Sequence, residues 1–407
     1  MKMIFTRNNS NIFRIMFSQK KSFNLRHLLI ATALVTLLPA FASAQWVLMK
    51  SDADKLVQNG ARQVYNLQFD SASANFRKVI ALYPEHPAGY FLDAMVGWWK
   101  IQTNPRNESF DDDFLQKAGK TIEVADKLLE QNSNDIVGLF FKGGALGYRG
   151  RFYASRETWL KAADDGKTAL DILTRCQKLA PGNHDIMLGT GIYNYFAAAL
   201  PERYPLLKTV MYFLPHGDKR LGILQLQAAG KSARYAATEA KSALLQIFFQ
   251  FEKDASNALP LAQELHGQYP DNAYFHRYLG RCQVQLGMSA EYEKTWRDIL
   301  KKSISGKLSY DKLTAREALY YVGLAIMSKG NYDLALKYFY KCDEGNRHLD
   351  SDETGFLVMV NLKIGNIYDM QGKRDLAIMQ YNKVLGWGDR QNSHELARQY
   401  MATPYAQ

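Results

Sequence analysis

Two stretches near the C-terminus carry the same helix-pair pattern: Leu319, Val322, Gly323, Ile326, Gly330, Ala335 and Phe339, then Ile364, Gly365, Tyr368, Gly372, Ala377 and Tyr381. Apolar residues at helical spacing, interrupted by one glycine and then resumed, describe two antiparallel helices joined by a tight turn. Small residues at Gly323 and Ala335 let the two helices approach, Ile326 and Phe339 fill the space between them, and Gly330 permits the turn. Such a pair cannot bury its apolar face alone. Neighbouring pairs must stack on it, so the chain is expected to be an all-α helical-repeat solenoid.

The pattern recurs upstream. Ala72, Phe76, Val79 and Pro84 match the second helix and its proline stop, as do Ala258, Ala262, Leu265 and Pro270; Leu279, Gly280, Gly287, Trp296 and Ile299 follow, and Ala169, Leu173, Cys176 and Pro181 make a half-match. Proline cannot continue a helix, so its recurrence after an apolar run marks helix ends. The strings YVGLAIMSKGNYDLALKYFYKC and KIGNIYDMQGKRDLAIMQYNKV resemble the tetratricopeptide repeat, a motif of about 34 residues. The resulting organisation is a signal segment over 1–44, N-terminal helical repeats over 45–200, an irregular central connector over 201–235, C-terminal tetratricopeptide repeats over 236–395 and a tail over 396–407. Within the N-terminal half, helices are expected at Pro87–Gln102, Asp112–Gln131, Ile136–Leu146 and from about Ser155 to Leu179. Residues 200–220 hold three prolines and an aromatic cluster, which reads as a break with a short helix between its halves.

The run GTGIYNYFAAALPERYPLLKTVMYFLPHGDKRLGILQL is similar to the central block of the tetratricopeptide-repeat-domain 39 family, through Gly189, Gly191, Leu200, Pro201, Gly217, Asp218, Arg220 and Gly222. Leu214, Pro215 and His216 stand where that family usually has an aromatic residue. The resemblance implies a helical-repeat protein without an established catalytic centre and, in eukaryotic members, a loose association with lipid storage and membranes. Exported bacterial repeat proteins have a similar layout.

The first 44 residues contain no acid, carry six Lys or Arg, turn apolar from Leu28 to Leu38 and reach Ala42-Ser43-Ala44. This is the layout of a secretory signal cleaved between Ala44 and Gln45. The alternative is an uncleaved anchor, because Leu28 to Met49 is free of charge and long enough to cross a bilayer. Either way the remainder is expected outside the cytoplasm, in a periplasm or cell envelope or secreted. Without those six charges the formal +11 falls to +5, a poor balance for a nucleic-acid partner. Cys176, Cys282 and Cys342 lack metal-type spacing and read as buried small hydrophobes, with a bridge between two of them left open.

Chemistry is sparse. Gly166-Lys167-Thr168 and Gly230-Lys231-Ser232 lack the earlier glycine of a phosphate loop, having Lys161 and Gln225 there. No metal or cofactor motif occurs. The pairs His184 with Asp185 and His216 with Asp218 lack a nucleophile, and capping is the commoner use of Asp at helix starts. Two recognition surfaces are therefore expected. One is a concave groove lined by Tyr274, Arg277, Arg281, Glu317, Tyr320, Leu324, Leu362, Asn366 and Asp369, suited to a peptide or partner helix. The other is an anion-binding patch of Arg149, Arg151, Arg156, His216, Asp218 and Arg220, against which stands the more ordinary reading of the basic-aromatic stretch Tyr148–Trp159 as a solvated helix–helix connection with its aromatic residues turned into the core. The leading expectation is a non-enzymatic, exported scaffold for a protein or peptide; the rivals are a lipid- or membrane-associated carrier, drawn from Tyr193 to Phe213, and an enzyme using the His184 and His216 regions.

Overall fold

The computed structural model describes residues 51–406 apart from 206, 209–211, 213, 351 and 352. The signal segment with its cleavage site, and most of the short helix expected within 200–220, lie outside the described residues.

Helices α1 (Ser51–Tyr65) and α2 (Phe69–Leu82), α3 (Pro87–Thr103) and α4 (Asp111–Gln131), α5 (Ile136–Ser155) and α6 (Trp159–Leu179), and α7 (Ile186–Arg203) and α8 (Lys219–Ser232) form four successive pairs. Four more succeed them: α9 (Ala237–Gln246) with α10 (Ala255–Gln268), α11 (Ala273–Gln285) with α12 (Ser289–Ile304), α13 (Lys312–Met327) with α14 (Tyr332–Leu349), and α15 (Gly355–Met370) with α16 (Arg374–Leu385), after which α17 (Ser393–Ala402) covers the end. The described residues contain seventeen α-helices and no strand, an all-α helical-repeat solenoid.

One packing rule builds half of the pairs. In four of them a glycine on the first helix lies opposite a ring sixteen residues later: Gly60 with Phe76, Gly280 with Trp296, Gly323 with Phe339 and Gly365 with Tyr381. A Cβ at any of these glycines would sit 2.4, 2.7, 2.5 or 2.5 Å respectively from a ring carbon or nitrogen. Seven residues after each glycine the turn takes a left-handed residue: Leu67 (φ 60), Gly287 (φ 68), Gly330 (φ 74) and Gly372 (φ 71). The same register reveals two disguised pairs. In α5/α6 it runs Gly150, Glu157 (φ 56) and Gly166; in α9/α10 it runs Gln246, Lys253 (φ 57) and Ala262. Their ring positions hold Gly166 and Ala262. The α5/α6 helices consequently touch backbone to backbone, since a Cβ at Gly150 would meet Ala162 O at 3.2 Å and Gly166 N at 3.4 Å.

The N-terminal half returns on itself. On α1, Asp54 accepts hydrogen bonds from Arg234 Nη2 at 2.9 Å and from the Tyr235 hydroxyl at 2.7 Å in the α8–α9 connection. At the other end of α1, Asn272 Nδ2 donates to Tyr65 O at 2.8 Å, and the Tyr65 ring lies 5.2 Å from Tyr269 and 5.3 Å from Trp99. One hydrophobic core therefore joins Val64, Phe76, Trp98 and Phe152 to Leu245, Leu265 and Phe275. A second core runs through α11 to α15, and a third seals α15 and α16 under Ala397 of α17.

Several boundaries differ from the sequence reading. Helix α5 continues past Leu146 to Ser155, so the basic-aromatic stretch Tyr148–Arg156 is helix rather than connection, and the next helix begins at Trp159 after the Glu157 turn. Pro201 lies inside α7, close enough to its end that only the final turn loses a bond. Helix α8 occupies part of the expected connector, its start capped by Asp218, which accepts from Leu221 N at 2.9 Å. The expected tail begins inside α17, and Asp369 pins the residues beyond that helix by accepting from Tyr405 N at 2.9 Å. The two Gly-Lys strings lie within α6 and α8.

Replacing Gly323 or Gly365 by alanine drives a methyl into a ring and should lower stability by about 1–3 kcal/mol. Gly166→Ala meets only Tyr193, at 3.9 Å, and should gain about 0.5–1 kcal/mol from helix propensity. Urea unfolding of the three variants beside the parent protein distinguishes the two signs.

Candidate functional site

The groove residues chosen from repeat position are mostly spent inside the structure. Glu317 is 1 % exposed and receives Arg277 Nε at 2.7 Å, Arg281 Nε at 2.5 Å and Arg281 Nη2 at 2.8 Å. Burial alone would raise its carboxyl, but the two guanidiniums outweigh burial and hold it at about 2. Leu362 and Asn366 are fully buried, and Tyr320 packs edge-on to Phe356 at 5.6 Å. Asp369 is covered, accepting from Arg374 Nη1 and the Tyr381 hydroxyl, each at 2.7 Å. Tyr274 is half-buried between Trp99 and Tyr278, and Leu324 is half-buried beside the second core. The inner helices of these repeats are wedged on both sides by their neighbours, so repeat position alone did not leave their side chains free.

The anion patch is dispersed, which corrects the sequence expectation. Arg149 is clamped by both oxygens of Asp165 at 2.7 Å each. Arg156 is clamped by Asp111 at 2.7 and 2.8 Å and also donates to Pro105 O. Asp218 caps α8, while His216 and Arg220 are exposed on either side of it. Asp185 is likewise structural. Its carboxylate accepts from the backbone N–H groups of Arg234, Tyr235 and Ala236 at 3.2, 2.8 and 2.7 Å, which anchors the start of α9. The three cysteines are free and buried, each thiol pushed up to about 12 by burial.

Of the patch, Arg151 alone borders an interior space. Inside the closed turn of α1–α9 lies a cavity of about 440 Å³, walled by Val57, Leu92, Met95, Phe140, Phe196 and Leu207 among others. Helix α5 contributes Gly143, Gly144, Gly147 and Gly150 to its lining. At these four positions α5 has no side chain to fill the interior it borders, although Phe140, Tyr148 and Arg151 of the same helix line it, and the facing helix has Gly166 where a ring would stand. At one edge Trp159 and Tyr204 line the cavity with rings 5.7 Å apart, and Tyr204 is 42 % exposed, so the cavity meets solvent there.

Arg151 and Glu239 bring opposite charges together on the cavity wall. The Arg151 guanidinium lies 4.7 Å from the Trp98 ring centre and 5.4 Å from that of Tyr148, and its Nη1 is 3.7 Å from Glu239 Oε1. Glu239, 6 % exposed, accepts from Trp99 Nε1 at 3.1 Å. Burial pushes the Glu239 carboxyl up, against the opposing pull of Arg151 and of the Trp99, Tyr148 and Trp98 donors. Arg151 Nη1 and Trp98 Nε1 are buried and face Glu239 without a full hydrogen bond to it. Under-satisfied donors on the wall of an apolar cavity are marks of a ligand site. The stretch Tyr148–Arg156 stands out in the sequence, but the lining from α1, α3 and α7 does not, because it depends on a closure between residues nearly two hundred positions apart.

No protein-family model matches the chain, and no curated protein matches it. Among solved structures, the APC/C hetero-tetramer Cut9-Hcn1 is similar with a TM-score of 0.51 at 13% identity, over 92% of this chain and 58% of that one. The chain thus spans little more than half the length of that structure. Human IFIT1 as a dimer with m7Gppp-AAAA gives a TM-score of 0.40 at 12% identity over 89% of each chain, and a monomeric IFIT1 mutant with m7Gppp-AAAA gives 0.37 at 12% over 85% of this chain and 73% of that one. The Cut9-Hcn1 likeness places the fold among tetratricopeptide-type helical repeats.

Acid should weaken the protein through two buried groups. His276 stacks on His266 with ring centres 4.0 Å apart, its Nδ1 lies 3.0 Å from the Tyr310 hydroxyl, and burial pushes it down to about 2 from 6.5. Glu317 falls to about 2 from 4.5. In both cases the unfolded chain binds a proton that the folded chain refuses, so stability is full above the unfolded value and declines as pH falls. The decline begins near 6.5 for His276 and near 4.5 for Glu317. Urea midpoints at pH 7.5, 5.5 and 4 should fall in that order, and His276→Gln should shrink both steps, because His276 goes on refusing its proton down to about 2, while the part of the second step that belongs to Glu317 remains.

Proposed function

We propose that this protein is an exported helical-repeat scaffold that holds a partner polypeptide against the inner face of its N-terminal half. The observation that carries this reading is the unfilled apolar cavity within the closed turn, lined chiefly by the first helices of successive pairs. In a helical-repeat solenoid that face is the one left available for recognition. An apolar segment of a partner, seated there, would bury hydrocarbon that the chain's own side chains leave uncovered. The C-terminal repeats serve as a rigid extension, since their inner polar groups are already paired with one another. Export, to a periplasm or cell envelope, is part of the proposal and rests on the basic-then-apolar leader ending in Ala42-Ser43-Ala44.

A second reading, the lipid- or membrane-associated carrier, is favoured by the same cavity together with its two under-satisfied donors. The enzymatic reading is disfavoured because Asp185 and Asp218 are committed to backbone N–H groups.

Native mass spectrometry of the mature protein, isolated gently from its own envelope, separates these readings. The scaffold predicts a co-purifying polypeptide that is lost when the cavity is filled. A lipid-sized adduct alone would replace the scaffold with the carrier, and an unliganded monomer in repeated preparations would count against both. N-terminal sequencing of the same sample should begin at Gln45; a chain that retains its leader in the membrane fraction would point to the anchor.

A further inference from the structure

We infer that the N-terminal cavity binds a single-chain amphiphile with a carboxylate head, a long-chain fatty acid, its head on Arg151 and Trp98 and its hydrocarbon among the side chains of α1, α5 and α7. The inference rests on the carrier reading and is the scaffold's rival for the same cavity, since a fatty acid lodged there leaves no room for a partner's apolar segment.

Three observations converge. The first is shape and lining. A cavity of about 440 Å³ walled by Val57, Met95, Phe140, Ile192 and Phe196 has the size of a small-ligand site, and an apolar space of this kind gains little from water. The second is the pair of donors. Arg151 Nη1 and Trp98 Nε1 are both buried and both face Glu239 without a full hydrogen bond to it, and the Arg151 guanidinium sits 4.7 Å from the Trp98 ring. A desolvated donor left unsatisfied is costly, so a ligand bringing an acceptor oxygen to this pair removes a standing penalty. A carboxylate supplies two acceptor oxygens in the plane that a guanidinium prefers, which an alcohol or an alkyl chain cannot do. The third is the uncommitted state of Arg151. Arg149 and Arg156, close to it in sequence, are each locked in a two-bond clamp with an aspartate. Arg151 instead stands 3.7 Å from Glu239 with no hydrogen bond between them, while the Glu239 carboxylate is held by Trp99. Glu239 thus keeps the arginine charge compensated when the cavity is empty and competes with the incoming carboxylate when it fills.

One edge of the cavity, at Trp159 and Tyr204, meets solvent. Gly147 lines the cavity, and a Cβ there would meet only Ala169 at 3.9 Å. A larger side chain at that position can be accommodated by the fold only by entering the cavity.

The test is calorimetric titration of the purified, delipidated protein with oleate and with oleyl alcohol, below their aggregation limits, at pH 7.5. Oleate should bind one per chain and at least about tenfold more tightly than the alcohol, the difference expected of a charge-assisted pair. Arg151→Met should abolish that preference and leave residual binding of both. Glu239→Gln, which keeps an acceptor for Trp99 but removes the competing charge, should tighten oleate binding. Gly147→Leu should eliminate both ligands while preserving the far-ultraviolet spectrum and the urea midpoint, since leucine is the better helix former. Equal affinity for the two ligands, unchanged oleate binding in Arg151→Met, or saturable binding in Gly147→Leu would each overturn the assignment. So would absence of binding to the parent protein, and in that case a co-purifying polypeptide lost on filling the cavity would still uphold the scaffold.

Discussion

The contact between a ring and a missing side chain is what the rest of this architecture depends on. Where Phe76, Trp296, Phe339 or Tyr381 presses on a glycine of the preceding helix, the two helices are held at a fixed distance and fixed rotation. The left-handed turn seven residues after the glycine then returns the chain at the right height for the ring to arrive. Rigidity of each pair sets the small rotation from pair to pair, and those rotations accumulate into curvature. Curvature brings α1 against the α8–α9 connection, and the closure there encloses the cavity. Within that half the ring meets a glycine at Gly60 and Phe76, and the closure is completed by the contacts of Asp54 and Tyr65.

The same rule explains why an interior remains unfilled. Around Gly150 the ring is replaced by Gly166, and the α5 and α6 backbones collapse together instead of being spaced by an aromatic residue. Their inner surface is then thin at Gly143, Gly144 and Gly147. Aromatic residues from neighbouring helices reach toward this space without closing it, and the polar groups among them are gathered around Glu239. Arg151 is the exception in its stretch, since Arg149 and Arg156 turn away to aspartates that fix them. The contrast separates arginines that hold helices together from one whose donors are left over.

The fold was legible from the sequence because the repeat is a local signal. Gly323 with Phe339 and Gly365 with Tyr381 lie within one helix pair, and their spacing survives in the amino-acid string. The glycines of α5 mark close helix contact, as at Gly143, where a Cβ would stand only 2.7 Å from Leu173. The site was less legible. Repeat position placed Glu317, Leu362 and Asn366 on inner helices, but it carries no information about the neighbouring pair, whose packing buries them. The basic-aromatic stretch near Arg151 was visible, yet a run of arginines does not show which of them will meet an acid, because Asp111 and Asp165 belong to other helices. The helix continuing through Pro201 was missed because a proline near a helix end sacrifices so little bonding that the apolar pattern outweighs it.

Closure of the N-terminal half also limits how such a chain can change over time. An open stack of repeats tolerates the gain or loss of a unit, because each pair touches only its neighbours and the ends are free. Here Asp54 must meet Tyr235 and Tyr65 must meet Asn272 across the whole turn. Inserting or deleting one pair between them would carry those partners past each other. Duplication is consequently confined to the C-terminal side of α11, where the stack stays open and the two most regular repeats are found.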